Sequence, residues 1–117
     1  MKDFKKLQIW QKGINIVKLS YKLTDQLPMS EKFNLISQIN RASVSIPSNI
    51  AEGSSRRSER DYFRFLEIAL GSCFELETQL IILIELGLIS AERIDELLFE
   101  IRQEQQMISG FSQKLQF

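Results

Sequence analysis

The chain has 117 residues, with 15 Lys+Arg balanced by 15 Asp+Glu, 44% hydrophobic residues, one cysteine and no histidine. That length suits one domain with its own core. The composition excludes an internal disulfide, a zinc site built from Cys and His, and Ser-His-Asp or Cys-His catalysis.

Two prolines and five glycines argue against a turn-rich all-β chain. The N-terminal segment lacks the apolar run of a signal peptide. The longest apolar run, residues 80–84, is too short to span a bilayer. A cytoplasmic location and no membrane partner are therefore expected.

The first helix is predicted over about 4–27. Trp10, Ile14, Val17 and Tyr21 recur at spacings of 4, 3 and 4, an apolar seam of helical period. Gly13 inside it costs up to roughly 1 kcal/mol against alanine and so marks a candidate close contact. Pro28 disfavours helical geometry at Leu27 and ends the segment.

The second helix is predicted over about 31–53, with Ser30 as N-cap and Glu31 in the first turn. Phe33, Ile36, Ile39, Ser43, Ile46 and Ile50 form its seam. Pro47 removes one backbone hydrogen bond, so a kinked but continuous helix is expected. Gly53 is placed just past its end, where glycine closes helices.

The third helix, about 59–86, opens with Ser58 as N-cap. Tyr62, Leu66, Ala69, Cys73, Leu76, Leu80 and Leu83 make an unbroken 4-3 seam. A second stripe, Phe63, Leu70, Phe74 and Ile81, lies on another face. Gly87 ends the helix in a Schellman pattern with Leu88.

The fourth helix, about 91–115, carries Ile94, Leu98, Ile101, Gln105, Ile108, Ser112 and Leu115. Short connections between four helices make antiparallel neighbours, so the expected fold is an all-α, up-down-up-down four-helix bundle forming a single domain over 1–117.

Charge is unevenly placed. Residues 1–64 hold 12 Lys+Arg and 6 Asp+Glu, net +6, and residues 65–117 hold 3 and 9, net −6. Either the halves neutralise each other side by side, or the basic half meets a polar partner. Arg57, Arg60 and Arg64 at spacings of 3 and 4 form a basic ridge, joined by Lys5, Lys6 and Lys12. These six are the candidate nucleic-acid contacts. The competing expectation is that Arg57 pairs with Asp61 and Arg64 with Glu67 along the helix.

The stretch "SIPSNIAEGSSRRSERDYFRFLEIALGS" raises a phosphate-cradling loop, but Glu59 and Asp61 in the helix N-terminus repel anions and no GxxxxGK[ST] pattern is present. Arg41, Asn49, Glu52 and Gly53 are expected instead to form a polar clasp at the corner between helices two and three. Glu52 opposes the helix dipole there, and Arg56, Arg57, Arg60 or Arg41 are its candidate partners. The second stripe of helix three exceeds what one bundle seam requires, so Phe63, Leu70, Phe74 and Ile81 are the candidate subunit interface.

The segments "LQIWQKG", "SEKFNLISQINRASVSIPSNIAEGSSRRSERDYFRFLEIALGSCFELETQL" and "LGLIS" resemble the bacterial four-helix-bundle family of 23S rRNA intervening-sequence proteins. That family is similar to the accessory variability proteins of diversity-generating retroelements. The resemblance covers nearly the whole chain and is most specific at residues 38–42 and 49–53. It implies four-helix protomers assembled into cyclic homopentamers, with nucleic acid and a reverse transcriptase as partners in the retroelement branch. It supplies no catalytic residue. Retroelement members are markedly basic, whereas this chain is neutral.

Residues and resemblance together lead to a non-catalytic, cofactor-free, metal-free, homo-oligomeric and pentameric assembly module. Its expected partners are itself and another macromolecule, either RNA or DNA or another protein. The alternative is a structural or protein-binding ring with no nucleic-acid role.

Overall fold

The computed structural model describes residues 3–117; residues 1 and 2 of the expected domain lie outside the described residues. Four helices follow one another: α1 (Gln8–Thr24), α2 (Ser37–Ser54), α3 (Glu59–Glu85) and α4 (Ala91–Gln113). A 3-10 turn, Phe4–Lys6, precedes α1, and a second, Met29–Glu31, leads into a π-helical turn, Lys32–Ile36, before α2.

Each helix packs on two neighbours, α1 on α2 and α4, and α3 on α2 and α4. The paired positions give the senses. Lys12 meets Gln103 and Gln26 meets Arg93, so α1 and α4 are antiparallel. Ser45 meets Ser72 and Gly53 meets Phe65, so α2 and α3 are antiparallel. Arg102 meets Glu77 and Phe111 meets Tyr62, which does the same for α3 and α4. The body measures 45 × 23 × 20 Å, about the length of α3 at 1.5 Å per residue.

The α3 seam is the spine of the core. Tyr62, Leu66, Ala69, Cys73, Leu76, Leu80 and Leu83 are all at most 1% exposed. Burying such a Leu or Ile side chain is worth roughly 1.5–3 kcal/mol. Ser58 caps α3 through its side chain, which accepts from the Asp61 N–H at 3.1 Å. The far end closes as expected: Leu88 N–H donates to the Leu83 carbonyl, Gly87 N–H to the Ile84 carbonyl, and Gly87 has φ +70.

Several expectations are corrected. Helix one begins at Gln8 and ends at Thr24, and Trp10 packs edge-on against Phe4 of the 3-10 turn at 5.3 Å. Its inward face is Ile9, Gly13, Ile16, Ser20 and Leu23, while the Trp10, Ile14, Val17 and Tyr21 seam flanks the core and Tyr21 is exposed. The reason is proximity: a Cβ on Gly13 would lie 3.2 Å from Pro47 Cβ, so the small residues face in and let α1 and α2 close up.

In helix two, the π turn adds residues to one turn and sets those before it out of phase. Ser30 lies in the 3-10 turn, Phe33 is 91% exposed, and Leu35 is buried in its place. Pro47 stays inside a continuous α2. Gly53 is not a left-handed terminator, since α2 runs on to Ser54 and Gly87 holds the only positive φ among the described residues. It is buried where α2 crosses α3, and a Cβ there would stand 2.7 Å from Phe65 Cβ. In α4, Glu104 replaces Gln105 on the buried face, and Ser112 and Leu115 are half-buried.

Candidate macromolecular contact surfaces

The corner clasp resolves into three separate devices. Asn49 Nδ2 donates to the Ser45 carbonyl at 2.8 Å and to Ser45 Oγ at 2.9 Å, Ser45 Oγ and Ser72 Oγ share a 2.8 Å bond, and Ser72 Oγ donates to the Ile68 carbonyl. This chain ties α2 to α3 one layer in from the corner. Glu52 pairs with Arg56 at 2.9 Å in an exposed ion pair that neutralises the carboxylate at the end of α2. The Arg56 guanidinium also lies over the Phe65 ring at 4.7 Å, so the pair leans on α3.

Gly53 is the third device, the point of close approach already described. Arg41 belongs to none of them. It is exposed three turns up α2, roughly 16 Å along the axis from Glu52 at 1.5 Å per residue. Ser45 and Ser72 stand out in the sequence as small residues that permit close packing, and the structure adds their hydrogen bonds.

Four chain segments gather at one end of the bundle: the 3-10 turn before α1, the end of α2, the start of α3 and the end of α4. Lys6 and Lys114 line a cleft of about 400 Å³ there with Leu7, Ile9, Met107 and Phe111. Gln116 N–H donates to Glu59 at 2.6 Å, fastening the C-terminal segment to α3. Lys5, Lys6, Arg56, Arg57, Arg60, Arg64 and Lys114 are exposed at this end, seven cations against Asp3, Glu52, Glu59 and Asp61. The opposite end carries Asp25, Glu31, Glu85, Glu92, Asp95 and Glu96 with Lys22 and Arg93. Charge therefore separates along the long axis. Between the two halves of the sequence, the described residues form one ion pair, Lys12–Glu100 at 3.2 Å.

Within the expected basic set, Lys12 is withdrawn. Its side chain is 15% exposed and its Nζ donates to Gln103 as well as pairing with Glu100. Lys5 and Lys6 are exposed on the 3-10 turn. On α3 the expected Arg57–Asp61 and Arg64–Glu67 pairs are replaced by Arg64–Asp61 at 4.0 Å, one helical turn back. Arg57 is exposed, and Arg60 lies over the Phe117 ring at 5.3 Å.

The second stripe of α3 faces outward beside α4. Phe63 is half-buried against Phe117, with ring centroids 5.4 Å apart. Leu70 is half-buried, Phe74 is 53% exposed and Ile81 is 41% exposed. Leu70 and Phe74 line a groove of about 470 Å³ with Gln105, Gln106, Ser109, Gly110 and Gln113 of α4. Below Ile81, hydrogen bonds from Gln105 and Arg102 hold the Glu77 carboxyl below the usual carboxylate range. Phe63, Arg60 and Phe117 join this stripe to the basic end, so the two candidate surfaces share an edge.

Two reactive groups lie inside. The Cys73 thiol is fully buried, and burial together with the Glu104 and Glu77 charges pushes its pKa up. Glu104 is fully buried in α4, and burial pushes its carboxyl up to about 8. No group of described residues is arranged to hold a metal ion, and among them no helix is long and apolar enough to cross a membrane.

The profile of the family described as 23S rRNA-intervening sequence protein matches residues 5–110. No curated protein matches the chain. Among solved structures, a protein of unknown function from the S23 ribosomal protein family of Bacteroides thetaiotaomicron superposes with a TM-score of 0.82 at 24% identity, over 89% of this chain and 97% of that one. That likeness is one of fold.

Proposed function

The chain belongs to the 23S rRNA-intervening sequence protein family, and from that premise we propose that it is a cytoplasmic, non-catalytic, homo-oligomeric assembly module, a ring of five protomers that binds a nucleic acid through its basic end. The observation that carries this reading is the open stripe of α3, where Phe74 and Ile81 remain exposed after the protomer has closed its own core. An apolar row of this kind, edged by polar groups, is suited to a subunit contact. A head-to-tail contact that closes on itself forms a ring and repeats every other surface with the same symmetry.

Repetition matters because Lys5, Lys6, Arg57, Arg60 and Arg64 are exposed at the end of the bundle where that stripe begins, with Arg60 joined to it through Phe117. One protomer offers few free cations, whereas several copies on one rim offer a track for a phosphate backbone. Each phosphate neutralised steepens the salt dependence of binding by about 0.7–0.9 in log–log slope. Catalysis is left out of the proposal because the two reactive buried groups, Cys73 and Glu104, are sealed from solvent, and a thiol with a raised pKa is a poor nucleophile.

A second reading, a protein-binding or structural ring without nucleic acid, is favoured by the carboxylates Glu52 and Asp61, which engage Arg56 and Arg64 at the same end. Light scattering of the purified protein, followed by titration with RNA and duplex DNA at low salt, separates the outcomes. A stable single-copy species removes the ring. An assembly that binds neither polymer leaves the second reading.

A further inference from the structure

Glu104 is the one carboxylate of the described chain that is wholly inside the core, at 0% exposure. Neither of its oxygens has a hydrogen-bond partner among the described residues. An ionised carboxylate in such a place costs several kcal/mol unless it is paired and hydrogen-bonded. Of the surrounding groups, Lys12 favours the ionised form, but burial outweighs it.

From α1, the Lys12 charge acts on Glu104 and pulls its carboxyl toward ionisation, but the Lys12 Nζ itself is held by Glu100 at 3.2 Å and Gln103 at 2.7 Å. On α4 itself, Glu100 repels a second negative charge. The α3 side brings the Cys73 thiol, which is electrostatically coupled to Glu104 and to Glu77. From α2 comes the Pro47 ring: Pro47 Cβ and Glu104 Oε2 lie 3.2 and 3.4 Å from where a Cβ on Gly13 would stand. The charged groups of α2, Arg41 and Glu52, are exposed.

We propose that Glu104 is an alkaline-sensitive switch in the bundle: its carboxyl holds a proton in the closed core, and losing that proton loosens the packing of α1 and α3 against α4. In an unfolded chain the group titrates near 4.5, and in the fold near 8. Between these values the folded chain holds a proton that the unfolded chain does not. Stability contributed by the group is therefore complete below about 4.5, falls tenfold in the folding constant for each pH unit above it, and is fully lost once pH passes about 8.

Cys73, the single cysteine, reports on the change because it is buried beside the switch. The test measures unfolding by denaturant across about pH 5 to 9, at fixed protein concentration, for the native chain, Glu104→Gln and Glu104→Met. Relative to both variants, the folding constant of the native chain is expected to fall about tenfold per unit up to about pH 8 and then to level off, and trapping of Cys73 by a thiol reagent, normalised to the unfolded chain, to rise more steeply with pH in the native chain. Parallel profiles would overturn the proposal. Should neither variant fold, the carboxyl carbon of Glu104 in the native protein decides by NMR at about pH 6.5, between the two values given above: a protonated signal supports the switch, and an ionised one sinks it.

Discussion

Helix α3 shows two apolar stripes of the same helical period and opposite fates. Tyr62, Leu66, Ala69, Cys73, Leu76, Leu80 and Leu83 are sealed inside the bundle, where α3 packs on α2 and α4. Phe63, Leu70, Phe74 and Ile81 stand beside α4, partly covered by Phe117 and otherwise open. The first row is covered by helices of the same chain, whereas the same chain leaves much of the second uncovered. The sealed row carries stability, and the open row is free to carry assembly.

The two rows are told apart most sharply by Phe74→Glu. It is expected to convert the proposed assembly to single protomers while each retains its thermal unfolding midpoint, as a surface change does within about 0.5 kcal/mol. An unaltered mass by light scattering would break the comparison. Leu76→Ala strikes the sealed row. It should cost about 2–5 kcal/mol in denaturant unfolding, because the cavity between four helices collapses only partly.

Gly53→Ala sharpens the account of how the sealed row is closed. The new Cβ meets Phe65 Cβ at 2.7 Å, an atom next to the backbone that cannot swing aside, so a loss of about 1–3 kcal/mol is expected. An unchanged midpoint would mean that α3 slides freely along α2. Glu52→Ala should have the smallest effect, at most about 1 kcal/mol, since the Glu52 and Arg56 side chains are 53% and 42% exposed. A larger loss would restore the clasp as a single unit.

The charged surfaces follow a similar division. Counting along the chain shows a basic half and an acidic half, and side-by-side helices invite the expectation that the halves cancel. The antiparallel arrangement instead gathers Lys5, Lys6, Arg57, Arg60 and Arg64 at one end, while Lys12, in the second turn of α1, is drawn into a pair with Glu100. Distance along the helix axis, which sequence halves do not record, decides which charges meet.

What the sequence by itself determined is local. Four helices, the Ser58 cap, the Gly87–Leu88 closure and the whole sealed row of α3 were legible because caps, turns and helical periods are properties of consecutive residues. Only the tertiary structure decided that α1 faces inward with Gly13 and Ser20 rather than Trp10 and Tyr21, that the π turn puts Leu35 inside and Phe33 out, that Gly53 is a crossing point, and that Glu104 lies in the core. Each of these depends on how closely another helix approaches. Burial and protonation belong to the space between segments, which no spacing along one segment describes.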